Sequence, residues 1–172
     1  MAKGSSESLA RWRRRAITRI EAVRRATLAF IATLPEAEIR RSRTLDRWSV
    51  KDVLAHLMSC DEETVRRFRL IARGRGDRIF WFRSMADADR FNARTVGAAR
   101  RLGLAAVLRR MARAHANVVA SLARLPAASL RDRSHEYTVV SWLPVPGWHH
   151  EHGHLGEVKA WWRQARKART RG

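Results

Sequence analysis

Four of the chain's seven histidines, His149, His150, His152 and His154, fall in one short segment, GWHHEHGHLGEVKAWW. On a helix, where each residue turns by ~100°, His150, His154, Glu157 and Trp161 lie within ~60° of one another. His150 and His154 then stand at i and i+4, a spacing at which two imidazoles on one face share a metal ion. Each neutral imidazole offers a nitrogen lone pair, at ~2.0–2.1 Å for zinc. Two ligands on one helix do not make a site, so a third must come from another element. His56 is the candidate, one turn after Asp52 and one turn before Cys60 on a second predicted helix. With three protein ligands an ion keeps open positions for water or a substrate atom, as in a catalytic site. Glu157, on the same face just beyond His154, is the candidate catalytic residue, orienting a ligand or shuttling a proton.

Other reactive side chains have plainer readings. His149 and His152 fall elsewhere on the helical wheel. His115 lies close to an apolar stripe and suits core packing. Cys60 could be a soft ligand or an activated nucleophile, but a buried, inert thiol is the better expectation. Asp61, Glu62 and Glu63 read as a solvated acidic face. Gly153 and Gly156 each cost a helix ~1 kcal/mol against Ala, which suggests close packing there or room for a bound molecule. No Ser-His-Asp arrangement follows from spacing.

The elements that must position these residues are helical. Apolar residues recur in steps of three and four at Leu9, Trp12, Ala16, Ile20, Val23, Thr27 and Phe30, which predicts an amphipathic helix from Glu7 to about Leu34, ended by Pro35. Glu36 to Arg47 reads as a short connection with room for a helical turn. Ser49 followed by Asp52 makes a capping-box-like start for a second helix, which fades at Gly74–Asp77. A shorter helix is predicted over Asp87–Arg101 and a third long one over Leu104–Leu125. Tyr137–Val140 is a β-like patch. Pro144 and Pro146 suit the entrance of a last helix from about Gly147 to Ala168. Four long helices predict an all-α fold, an antiparallel four-helix bundle with extra short helices in the loops. The expected division is a disordered stretch 1–6, one domain over 7–168 and a basic tail 169–172.

The 172 residues fit one ordinary domain, and a 45% hydrophobic share supplies a core. The net charge is +20, and 32 of the 36 cations are arginines. That balance favours anionic contacts, but the cations are spread over the chain, with their densest runs at Arg11–Arg15 and Arg163–Arg171. Such runs hold phosphates without reading sequence. With no zinc-finger spacing, RNP-like strand or Gly-rich phosphate loop, nucleic-acid binding rests on charge alone and is expected to be non-specific. A single cysteine excludes an intrachain disulfide. No apolar run reaches the ~18–20 residues of a membrane span, and no secretory h-region follows the basic N-terminus. A cytoplasmic protein without membrane contact is the expectation.

WSVKDVLAHL (48–57), DADRFNAR (87–94) and HHEHGHLGEVKAWW (149–162), in that order, resemble the DinB/YfiT-like superfamily, over about residues 8–165. The resemblance implies a four-helix bundle that commonly holds a divalent metal (Zn, Ni, Fe or Mn) on three histidines, here His56, His150 and His154. It implies an enzyme that joins a low-molecular-weight thiol, such as mycothiol or bacillithiol, to a small electrophile, an isomerase using such a thiol, or a metal-dependent hydrolase. A homodimer is compatible with it. The alternative is an Arg-rich binding protein that uses a DinB-like scaffold to contact nucleic acid. Two departures stand out: Cys60 replaces a frequent aromatic residue, and His149 and His152 offer alternative ligands.

Overall fold

The computed structural model describes residues 2–42 and 48–170, with side chains from residue 8 onward. Met1, the 43–47 part of the predicted connection, and 171–172 of the predicted tail lie outside the described residues. The fold is all-helical: α1 (Ala2–Ile31), α2 (Glu36–Arg40), α3 (Val50–Ala72), α4 (Met85–Ala99), α5 (Leu104–Arg124), α6 (Val139–Trp142) and α7 (His150–Arg169). No strand occurs among the described residues. An isolated bridge pairs Ser42 with Ser49.

Local chemistry sets the helix starts. Ser49 Oγ accepts from Asp52 N and Asp52 Oδ2 accepts from Ser49 N, both at 3.0 Å, so the predicted capping box opens α3. Ser84 and Asp87 form a second box, which starts α4 at Met85 rather than Asp87. The Tyr137–Val140 patch does not become strand. Thr138 Oγ1 accepts from Ser141 N and starts α6, which buries Val139 and Trp142. A π-helical turn, Val145–His149, follows Pro144 and runs directly into α7.

Two apolar layers make the core. One contains Leu9, Ala16, Ile20 and Val23 of α1, Val65, Phe68 and Ile71 of α3, Val118 and Leu122 of α5, and Trp148. The other contains Ile31 of α1, Val50, Val53, Leu54, Ala55, Leu57 and Met58 of α3, Val107 and Met111 of α5, and Val158 of α7. Along α1 and from Trp148 into α7 the chain passes from the first layer to the second; along α3 and α5 it passes from the second to the first. Between the layers each long helix buries or half-buries polar side chains: Arg24 and Thr27 on α1, Ser59, Cys60, Asp61 and Thr64 on α3, His115 on α5, and His150, Glu151 and His154 on α7. The candidate site belongs to this polar layer.

Candidate metal centre

The three predicted ligands meet at the polar layer. His56 comes from the second turn of α3 and is 5% exposed. His150 and His154 come from consecutive turns of α7. The Nε2 atom of His150 lies 3.1 Å from Nε2 of His56 and 3.1 Å from Nε2 of His154. One nitrogen from each ring can be chosen so that all three lie within 4.8 Å of one another. A tetrahedral ion with ~2.05 Å bonds to nitrogen sets its ligands ~3.3 Å apart.

The donor chemistry fits a cation. A neutral imidazole carries one N–H and one in-plane lone pair. His154 Nδ1 lies 3.0 Å from Glu157 Oε2. An ionised carboxylate only accepts, so Nδ1 donates and Nε2 keeps its lone pair. Burial first, then the neighbouring imidazoles, pushes the His56 pKa down to about 3. Burial and His154 push His150 down to about 4. Both rings are therefore neutral at pH 7, the protonation state a metal requires.

The surroundings correct two sequence expectations. Asp61 is buried, not part of a solvated face: Arg24 donates through Nη2 to Asp61 Oδ2 and through Nε and Nη2 to the two oxygens of Glu151, each at 2.9 Å. Burial pushes the Asp61 carboxyl up to about 6 despite Arg24. Glu62 is only half-buried and pairs with Arg110, and Glu63 pairs with Arg66 and Arg67. Gly153 and Gly156 are exposed, and a Cβ added at either would meet nothing within 4 Å, so close packing does not account for them. His149 and His152 are exposed and lie outside the cluster.

Cys60 Sγ lies 3.8 Å from His56 Nε2 and 4.0 Å from its Nδ1. Burial pushes the thiol up to about 12, with Asp61 adding to the shift, so it stays protonated. His115 is half-buried; its Nδ1 has no hydrogen-bond partner among the described residues, and burial and then Arg24 push it down to about 4.

The triad opens into a cavity of about 360 Å³. Trp48, Phe82, Met85, Phe91 and Val145 form its apolar walls, and Asn92 and Arg67 supply polar groups. Phe82, Met85 and Val145 are also exposed to solvent, so the mouth is apolar. Among the described residues no helix is long and apolar enough to cross a membrane.

No curated protein and no solved structure gives a significant match to the chain. A family model, described as the DinB superfamily, matches residues 19–158, a span that holds all three histidines and the cavity, and the chain belongs to that superfamily.

Proposed function

We propose that the protein is a divalent-metal-dependent enzyme that transfers an electrophilic group onto the sulfur of a small thiol. The observation that carries this reading is the convergence of three imidazole nitrogens at the wall of an apolar cavity. Bound there, a divalent cation would supply the Lewis acidity that keeps a thiol sulfur ionised near neutral pH, and His56, His150 and His154 would hold it. Glu157 fixes the His154 tautomer from outside the cavity and acts as a positioning residue. The thiol proton leaves to solvent, a sulfur–carbon bond forms, and the electrophile's leaving group departs with its electron pair.

A cation that ionises a thiol also lowers the pKa of a bound water, so the preference for transfer rests on the cavity walls rather than on proton removal. The apolar walls suit an organic electrophile. Contact with nucleic acid, on this reading, is electrostatic and indifferent to sequence.

The same reading takes α1, α3, α5 and α7 as a four-helix bundle, with α1 and α7 running against α3 and α5. The order in which each helix crosses the two apolar layers supports it.

The test is metal analysis of protein purified without a polyhistidine tag, followed by a conjugation screen. Mycothiol, bacillithiol, glutathione and coenzyme A are offered against simple electrophiles. Turnover should vanish with a chelator and return with a divalent ion. Turnover unaffected by complete metal removal rules the proposal out.

A further inference from the structure

Arg67 is 8% exposed and lines the same cavity as the histidines. Its guanidinium carbon lies 4.5 Å from the Trp81 ring centroid, 5.5 Å from that of Trp142 and 5.8 Å from that of Phe82. Three aromatic rings therefore pack around the guanidinium within cation–π range. Nε donates to Glu63 Oε1 at 3.0 Å. Neither terminal amino group donates to another described residue, although each carries two N–H bonds. Glu63 is shared, because Arg66 Nε and Nη2 donate to its two oxygens at 2.7 and 2.8 Å. Two guanidiniums face one carboxylate, so a positive charge is left over in a desolvated place. Burial holds Arg67 below its ordinary pKa even beside Glu63.

Such a group calls for a planar anion. A carboxylate matches the two parallel N–H bonds of an arginine fork. A single surplus charge suits a monoanion rather than a phosphate dianion. The spacing sets the length. Arg67 lies eleven residues after His56, or ~16 Å of helix axis before side-chain reach is subtracted. On α3 the lining between them is Cys60, Glu63 and Thr64, and Phe82, Phe91 and other apolar residues make up most of the remaining wall.

We propose that the cavity takes an extended organic carboxylate with a largely apolar body, the carboxylate held by the two terminal amino groups of Arg67 and the far end reaching the histidines. Only the role of that far end rests on the metal reading; the Arg67 contact does not.

The experiment has two arms. In the first, calorimetry measures octanoate and octanamide binding to the metal-free protein. Octanoate should bind at least ten-fold tighter. Arg67→Gln should bring the two to equal affinity, which also separates Arg67 from general attraction to a +20 protein. Arg67→Lys, which keeps the charge and loses the fork, should retain only part of the ratio. Glu63→Gln should widen the ratio by releasing Arg67, and it carries the test if Arg67→Gln does not fold. Equal affinities in the native protein, a ratio that survives Arg67→Gln, or a ratio unchanged by Glu63→Gln each overturn the Arg67 assignment.

In the second arm, cobalt-loaded protein is titrated with 8-mercaptooctanoate and 8-mercaptooctanamide. A sulfur-to-cobalt charge-transfer band should develop with both, at lower concentration for the carboxylate. A carboxylate preference in the first arm with no band in the second upholds Arg67 and overturns the reach to the histidines. A band that develops equally with both thiols does the reverse.

Discussion

Arg24 grips Glu151 across 127 positions of sequence, its Nε and Nη2 each donating at 2.9 Å to a different carboxylate oxygen. Nη2 also donates to Asp61. These three side chains come from α1, α7 and α3. Asp61 stands five residues from His56 on α3, and Glu151 lies between His150 and His154 on α7. The network therefore fixes the two ligand-bearing helices against each other at the level where the ligands meet.

Removing Arg24 leaves two buried carboxylates with no guanidinium. Arg24→Met is expected to cost ~3–5 kcal/mol, because stripping one partner from a buried ion pair leaves its desolvation uncompensated. Arg24→Met combined with Asp61→Asn and Glu151→Gln should recover much of that loss, since no buried charge then remains. Urea unfolding of the single and triple variants checks both. A single variant within ~0.5 kcal/mol of the parent, the scale of an ordinary surface change, contradicts the buried network.

For the metal centre, His154→Ala and His56→Ala should lower metal content sharply. His149→Ala and His152→Ala should leave it unchanged, because both rings are exposed and outside the cluster. Glu157→Gln keeps a group that can still accept from His154 Nδ1 but loses the charge. It should retain the ion with affinity lower by ~10-fold, at the mild end for loss of a ligand's supporting contact. Metal analysis and competition with a chromophoric chelator read these effects. Equal losses from His149→Ala and His154→Ala would place the centre in the wrong register.

What the sequence reveals of this centre is what local spacing encodes. The i, i+4 relation of His150 and His154 and the Ser49–Asp52 box each span one helical turn. Helical periodicity carries the all-α fold in the same way. The Arg24–Asp61–Glu151 network spans three helices, and nothing within one turn of Asp61 shows that an arginine 37 positions earlier will meet it. One signal is available: Arg24 follows Val23 and stands four residues after Ile20, so it places a charge on the buried stripe of α1. The Ser84–Asp87 box has the same S-x-x-D spacing as Ser49–Asp52 and is equally legible. The π turn at Val145–His149 is not, because its Pro-Val-Pro-Gly segment is equally compatible with an ordinary helix entrance.

Two glycine substitutions should act in opposite directions. A Cβ on Gly153 or Gly156 meets open space on a helix, so alanine at either should stabilise by ~1 kcal/mol through helix propensity. At Gly76 an added Cβ would come within 2.6 Å of Cδ2 and 3.1 Å of Cβ of the buried His135. The ring cannot simply swing aside when its own Cβ is also close. Gly76→Ala should therefore lower the melting temperature while Gly153→Ala raises it. A rise in both would show that the loop beside His135 can shift freely.

The response to acid follows from the buried imidazoles. His56 is held down to about 3, and His150 and His115 to about 4, whereas each titrates near ~6.5 in an unfolded chain. Below that pH the unfolded chain binds protons that the folded protein refuses. Stability is thus complete above pH ~6.5 and falls as pH drops, by up to ~1.4 kcal/mol per unit for each group. Asp61 works the other way. Its folded pKa, raised to about 6 by burial, lets the folded state take a proton that the unfolded carboxyl, near ~3.9, does not. Three losses against one gain leave about two protons, a slope approaching ~3 kcal/mol per unit around pH 5. Urea midpoints of metal-free protein at pH 7 and pH 5 measure it, and a flat profile would mean that the imidazoles are not buried in neutral form. His115→Gln should shallow the slope by about one proton and leave metal content unchanged. A bound ion stabilises only the folded state, so metal-loaded protein should lie above the metal-free curve at pH 7. That gap should close as protons displace the ion from His56, His150 and His154, because ion and protons compete for the same nitrogens.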